Sequence, residues 1–170
     1  MTSLAIIGLK HLNAAVTTPS LLAALTAERS ALVSFIALLQ REQGMLTENT
    51  TEQLLALAEQ KSNAALQLNQ LGEARRALLR QNIPNLSVAA IQVWLKKHSP
   101  AGLSSWQEVL SLAEQAQQLN SINGELIQMK LRHNQKALTV LSNAVNKANL
   151  YGRDGQPNFS PGSGRSLGSG

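Results

Sequence analysis

Apolar residues recur every three or four positions along most of this 170-residue chain. That spacing puts them on one side of an α-helix, so the pattern predicts helices packed against helices. The first helix is expected to start at Thr18 and Pro19, because proline at the first helical position gives up no needed hydrogen bond, and to end near Gly44. Its apolar positions are Leu21, Leu25, Leu32, Phe35 and Leu39.

A second helix is predicted after a short polar connection. Asn49 with Glu52 and Thr50 with Gln53 are overlapping capping boxes, and the helix they open continues to about Arg80. Its apolar positions are Leu54, Leu57, Leu68, Leu71 and Leu78. Two neighbouring helices with apolar seams and a short loop between them form an antiparallel hairpin.

Charged residues interrupt both seams of this hairpin. Glu28 and Glu42 fall in the first seam, and Lys61 and Arg75 fall in the second. Facing residues of an antiparallel pair have a constant sum of position numbers, and one sum fits both Glu28 with Arg75 and Glu42 with Lys61. This register predicts two structural ion pairs and a turn centred near Thr51. The alternative is four solvated charges beside the seam.

A proline-containing break, residues 81–104, separates the hairpin from the last helix. Within it, Ser87 is predicted to cap a short helix that ends in the basic residues 96–98. Trp94 and Trp106 are most simply packing anchors that close one end of the bundle.

The last helix is predicted to begin at Ser104 or Ser105, each followed three residues later by Gln or Glu, and to end at Leu150. At about 1.5 Å per residue it is longer than the hairpin helices. Its far end therefore folds back at Gly124, pairs with another copy of the chain, or binds a different partner. Glycine costs about 1 kcal/mol inside a helix, so Gly124 indicates close backbone approach or a bend.

The far end of this helix is expected to carry a wide apolar face made of two stripes. The first stripe is Leu126, Met129, His133, Ala137, Val140 and Ala144. The second stripe is Ile127, Leu131, Leu138, Leu141 and Val145. One stripe can serve the protein's own bundle while the other receives an amphipathic helix, and the alternative is burial on both sides in an ordinary bundle. Asn123, Lys130 and Asn134 lie within the face and would make it selective.

Composition narrows the class of protein. Of the residues, 44% are apolar, 3% are aromatic and none is cysteine, which predicts an all-α fold without disulfides or thiolate metal sites. We expect a long antiparallel hairpin, a short helix and a long C-terminal helix. The predicted divisions are an N-terminal extension, 1–17, a helical domain, 18–150, and a disordered tail, 151–170. The apolar run 4–9 is too short for a membrane span or a secretory signal, so a cytoplasmic protein is expected.

Charge and titratable residues exclude several function classes. The net charge is +5, and residues 126–170 hold six basic residues against Asp154 alone. They form no dense basic groove with stacking aromatic residues, so no nucleic-acid partner is expected. Three histidines, nine glutamates and one aspartate share no ligand or catalytic spacing. We therefore expect no catalytic residue, no metal, no cofactor and no enzymatic activity.

Specific strings in the second and last helices carry a resemblance to a known family. In the second helix they are Glu59-x-Lys61 with Leu66, and Leu71-x-x-x-Arg75-Arg76-x-Leu78-Leu79. Towards the C-terminus they are Leu119-Asn120-x-x-Asn123-Gly124-x-Leu126-Ile127, Asn134-Gln135-x-Ala137-Leu138-x-Val140-Leu141 and Leu150-Tyr151-Gly152-x-Asp154-Gly155-Gln156. The chain resembles the FlgN family of flagellar export chaperones over residues 21–156. Residues 1–17 have no counterpart in that pattern.

The resemblance implies a chaperone that holds the two hook–filament junction proteins in the cytoplasm, with the flagellar export gate and the export ATPase complex as further partners. Its last helix would bind the helical C-terminal region of the client, and Tyr151 would contact the gate. The client-binding residues expected from the resemblance and the apolar face are Asn123, Ile127, Leu131, Asn134, Leu138, Leu141 and Val145. A coiled-coil adaptor that forms a homodimer through the same face, and a nucleic-acid-associated helical protein, remain alternatives.

Overall fold

The computed structural model describes the backbone of residues 3–50 and 52–150 and the side chains of residues 18–50 and 52–146. These residues form four helices and no strand: α1, Ser3–Glu48; α2, Leu54–Arg80; α3, Val88–His98; and α4, Pro100–Leu150. The expected all-α fold is confirmed. The chain divides into two compact units, Met1–Glu125 and Leu126–Gly170, where the sequence predicted one helical domain over residues 18–150. The predicted tail, residues 151–170, lies outside the described residues.

The start predicted for the first helix is wrong. α1 begins at Ser3, and Pro19 lies inside it. A proline removes one backbone N–H, but its fixed φ is helical, so the residue permits a helix start without imposing one. Between Ser3 and Thr18 the chain has three leucines and three alanines, which favour helix, and α1 continues through the proline.

α1 ends on a left-handed residue that the sequence reading assigned to the next helix. Asn49 has a φ of 59°, and the N–H of Thr50 donates to the carbonyl oxygen of Met45 over 3.2 Å, a common helix ending. α2 begins after Gln53 without a side-chain cap bond. Neither predicted capping box opens α2, because Asn49 closes α1 instead. Thr51, at the predicted centre of the turn, lies outside the described residues.

Both predicted ion pairs join α1 to α2. The Nε of Arg75 lies 2.6 Å from one carboxylate oxygen of Glu28, and its Nη2 lies 3.3 Å from the other. The Nζ of Lys61 lies 2.8 and 2.9 Å from the two carboxylate oxygens of Glu42. Glu28, Glu42 and Arg75 are buried, so these charges are not solvated beside the seam. The hairpin is antiparallel in the register that the position sum predicted.

Ser99 ends α3 and caps α4. Its N–H donates to the carbonyl oxygen of Leu95 over 2.7 Å, and its Oγ accepts from the N–H of Gly102 over 3.1 Å. α4 therefore starts with Pro100 at its first helical position, earlier than the predicted serine caps. A Cβ at Gly102 would lie 2.7 Å from the Ser99 Oγ, so this close approach requires glycine.

The short helix α3 has the predicted start and end. The Oγ of Ser87 accepts a backbone N–H of the first turn over 3.2 Å, and the helix ends at His98. Trp94 is partly buried and stacks on His98 with ring centroids 4.8 Å apart. Trp106 is buried, with the guanidinium of Arg75 4.6 Å from its ring centre, which is the packing role that the sequence predicted for it.

One apolar core is shared by α1, α2, α3 and the first part of α4. Its buried members are Leu21, Leu25, Leu32, Ile36, Leu39, Leu79, Ile83, Ile91, Leu95, Trp106, Val109 and Ala116. Four of the five positions predicted on α1 are among them, and Phe35 packs against the core while partly buried. Helical periodicity therefore identified the core side of α1.

One described stretch of α1 is apolar enough to cross a membrane by length and composition. It is Thr18–Glu48, which contains a window of mean hydropathy 1.6. The sequence reading missed this window because it counted only uninterrupted apolar residues. The same stretch supplies the core leucines of α1 and the buried carboxylates of Glu28 and Glu42. The core helix of a soluble bundle passes the same test, and the buried leucines of this stretch pack in the bundle core.

Candidate functional site

An amide from α4 completes a polar layer inside the bundle. Asn123 is 1% exposed, and its Nδ2 donates to the backbone oxygen of Leu39 over 2.8 Å and to a carboxylate oxygen of Glu42 over 2.9 Å. Glu42 also accepts from Lys61, so the layer joins α1, α2 and α4. The client-binding role predicted for Asn123 does not fit this position, because an enclosed side chain offers nothing to a partner.

The sequence contained a signal for the burial of Asn123. The residue continues the heptad spacing of Val109 and Ala116, which are both buried on the core side of α4. A single asparagine at a core heptad position commonly fixes the alignment of packed helices. Asn123 therefore does not belong with the client-binding residues, although it precedes the apolar stripes on α4.

The next part of α4, residues 126–146, has its apolar side chains in solvent, and we call it the α4 C-terminal segment. Leu126 and Ile127 are half-buried, and every residue from 131 to 146 is exposed. The large apolar residues exposed here are Met129 at 58%, Leu131 at 56%, Leu138 at 65%, Val140 at 69%, Leu141 at 62% and Val145 at 50%. They come from both stripes. Within the described residues, no member of either stripe is fully buried.

Gly124 has neither a turn nor a close neighbour to explain it. α4 runs as one helix from Pro100–Leu150, so the chain does not fold back there. A Cβ at Gly124 would meet nothing within 4 Å, which excludes close backbone approach among the described residues. Asn134, further along the predicted face, is exposed.

The side of the α4 C-terminal segment opposite the stripes is polar and also exposed. Its residues are Gln128, Gln135, Thr139, Ser142 and Asn146. A helix with one apolar and one polar side gains stability when its apolar side is covered. This arrangement is suited to binding another amphipathic helix.

The other charged and metal-ligating side chains in the described residues form no further candidate site. No group of three or more His, Asp or Glu residues among them could hold a metal ion. The buried carboxylates of Glu28 and Glu42 each pair with a cation of α2, which fixes packing instead of meeting a substrate. Tyr151, the predicted export-gate contact, lies outside the described residues.

Comparison with known proteins assigns the chain to a family. A family model described as "FlgN protein" matches residues 17–158. The chain belongs to the FlgN family. The "Flagella synthesis protein FlgN" of Yersinia enterocolitica is 32% identical over 128 residues, which are 75% of this chain and 76% of the relative. The protein of the same name from the serotype O:8 / biotype 1B strain has the same identity and coverage, and no solved structure matches.

The FlgN match includes the parts of the chain that the geometry singles out. It covers both ion pairs of the hairpin, the buried Asn123 and the whole α4 C-terminal segment. Residues 1–16 lie outside it. This FlgN-family chain therefore combines a helical bundle with a solvent-exposed apolar helix face.

Proposed function

We propose that this chain is a cytoplasmic flagellar export chaperone, without enzymatic activity, that binds the helical C-terminal regions of the hook–filament junction proteins. Its membership of the FlgN family supports the flagellar role, since the Yersinia relatives are named flagella synthesis proteins. The observation that carries the binding role is the apolar face of the α4 C-terminal segment, where Leu138 and Leu141 are 65% and 62% exposed.

The physical basis is the cost of leaving this face in water. Covering apolar surface contributes about 25 cal/mol per Å², and a few central side chains usually supply most of the affinity of such a contact. Because both stripes are exposed, a client helix lying between them can contact both. A client bound in this way has its own apolar side covered and is kept from premature assembly.

The test is co-purification of the full chain with the C-terminal segment of each junction protein. Leu138→Asp places a charge in the second stripe and should abolish co-purification. Thr139→Asp is the matched control, because it adds the same charge at the next residue on the opposite side of the helix. It should bind the segments like the unmodified chain.

Circular dichroism of both variants completes this test. The helical content should stay unchanged, because both side chains are exposed. Normal client binding by Leu138→Asp, or its unfolding, would remove the apolar face from the proposal. A wild-type homodimer that Leu138→Asp dissociates, without any client bound, would favour a coiled-coil adaptor instead.

We assign contact with the export gate to Tyr151, as the resemblance to the family implies. This aromatic residue directly follows the last residue of α4, and aromatic rings are common centres of protein contacts. Tyr151→Ala should retain co-purification with the client and reduce secretion of the junction proteins. Wild-type secretion would remove Tyr151 from the mechanism, and lost client binding would assign it to the client surface.

A further inference from the structure

The end of α4 differs from the rest of the chain in its charge. Residues 126–150 contain four basic residues and no aspartate or glutamate, whereas residues 18–125 contain nine glutamates and eight basic residues. In the latter region the structure pairs carboxylates with cations, both between helices and within α2. The α4 C-terminal segment has no carboxylate of its own for such pairing.

Two of these cations form one edge of the apolar face. Arg132 and Lys136 are four residues apart, so they lie one turn apart on the same side of the helix. Lys136 in turn lies one turn before Val140 of the first stripe. Both cations are exposed, and neither forms an ion pair within the described part of the chain. We call Arg132 and Lys136 the basic edge.

The part of the polar side that borders the second stripe is neutral, and we call it the neutral edge. Gln128, Gln135 and Ser142 recur every seven residues, which keeps them on one side of the helix, and all three are exposed. Ser142 lies one turn after Leu138 of the second stripe. The apolar face therefore has a basic edge and a neutral edge, and a partner helix meets a different charge on each.

The helix dipole does not explain the basic edge. Cations stabilise a helix C-terminus within about its last turn, and α4 ends at Leu150. Lys147 lies within that turn, but Arg132 and Lys136 lie several turns before it. Because they lie beside an uncovered apolar face, they are placed to contact a partner that covers it.

We propose that the occupant of the apolar face is an acidic amphipathic helix, which aligns its carboxylates with the basic edge. The inference rests on the proposed function, because it names the chemistry of the client segment. Complementary charge around an apolar centre sets orientation and raises the association rate. A second copy of the α4 C-terminal segment is a poor occupant, since it brings only cations.

Two synthetic helical peptides test the charge of the occupant. They share one Leu and Ala face and carry either Glu or Lys along a single flank. Fluorescence anisotropy with the full chain should show about tenfold tighter binding of the Glu peptide at low salt. The difference should shrink to about twofold at 0.5 M NaCl, because salt screens exposed charges. Equal binding of the two peptides, or tighter binding of the Lys peptide, overturns the proposal.

Two double variants test where the charge acts. Arg132→Gln with Lys136→Gln, and Gln128→Glu with Gln135→Glu, lower the net charge of the chain by the same amount at opposite edges. The first should weaken binding of the Glu peptide about fivefold, as expected for losing two exposed charge contacts, and the second less than twofold. Equal weakening would mean that only overall charge acts, which contradicts an aligned basic edge.

The junction-protein segments separate this inference from the proposed function. If they co-purify through Leu138 but their binding ignores salt and the basic edge, the chemistry inferred here is wrong and the chaperone function stands. If the Glu peptide binds as predicted but the junction-protein segments do not, the client assignment is wrong and the acidic-helix site stands. A homodimer held by the apolar face and unaffected by the Glu peptide would overturn the occupant proposed here.

Discussion

The bundle, residues 18–125, and the α4 C-terminal segment, residues 126–146, use similar side chains in opposite surroundings. Leu39 in the bundle is fully buried, whereas Leu138 in the segment is 65% exposed. Arg75 is buried and bonded to a carboxylate, whereas Arg132 is exposed. In the bundle these residues specify one packing of the helices. In the segment they remain available to a partner, so the same substitution should have different consequences in the two regions.

The largest difference is expected for arginine. Arg75→Met leaves the Glu28 carboxylate buried without its cation and should lower the free energy of unfolding by about 3–5 kcal/mol. Arg132→Met removes an exposed charge and should change it by less than about 0.5 kcal/mol. Urea denaturation measures both. Similar losses for the two variants would mean that the α4 C-terminal segment is packed like the bundle.

Leucine should give the next largest difference. Leu39→Ala opens a cavity in the core and should cost about 2–5 kcal/mol of unfolding free energy. Leu138→Ala removes a side chain that is mostly in water and should cost less than about 0.5 kcal/mol. The comparison fails if Leu138→Ala costs more than about 2 kcal/mol in the same denaturation experiment.

The second ion pair tests the register of the hairpin. Glu42→Lys should destabilise the bundle, because it faces Lys61 with a like charge and removes an acceptor of Asn123. Adding Lys61→Glu should recover part of the loss, with a coupling free energy of about 1 kcal/mol. The exposed pair Glu73 and Arg76 is the control, and its coupling should stay below about 0.5 kcal/mol. No recovery in the double variant would mean that Glu42 and Lys61 do not face each other.

The smallest effects concern two glycines of α4. Gly124→Ala should raise the free energy of unfolding by about 0.5–1 kcal/mol, because glycine is unfavourable inside a helix and the new Cβ meets no neighbour. Gly102→Ala should lower it, because its Cβ would approach the Ser99 Oγ closely. Thermal denaturation distinguishes the two signs. A loss of stability in Gly124→Ala would indicate a packing partner at that position.

The sequence predicted those features that depend on spacing alone. Ion pairing of Glu28 with Arg75 followed from matching intervals on two helices, and the wide apolar face of the α4 C-terminal segment followed from two adjacent stripes. Whether a stripe is covered could not follow from spacing, because coverage depends on which helices reach it. Asn123 differs in this respect, since it continues the heptad spacing of the buried Val109 and Ala116.

Helix boundaries were predicted less well, because a cap residue followed by proline allows a helix to start but does not require it. Thr18 with Pro19 and Ser99 with Pro100 present the same cap-and-proline pattern. Ser99 adopts a non-helical conformation, with φ −156° and ψ 84°, so that the proline after it opens α4. The residues before Pro19 are already helical, and the identical pattern has no effect. The conformation of the residues before the proline therefore decides whether the pattern starts a helix.

The central claim is that the α4 C-terminal segment is an uncovered helix face that a junction-protein segment covers. Hydrogen exchange of the full chain, with and without the C-terminal segment of a junction protein, tests it most directly. We predict that the backbone amides of residues 126–146 exchange faster than those of the bundle in the free chain and slow down on binding, while the bundle changes little. Slow exchange of residues 126–146 in the free chain, or protection confined to the bundle on binding, would contradict the claim.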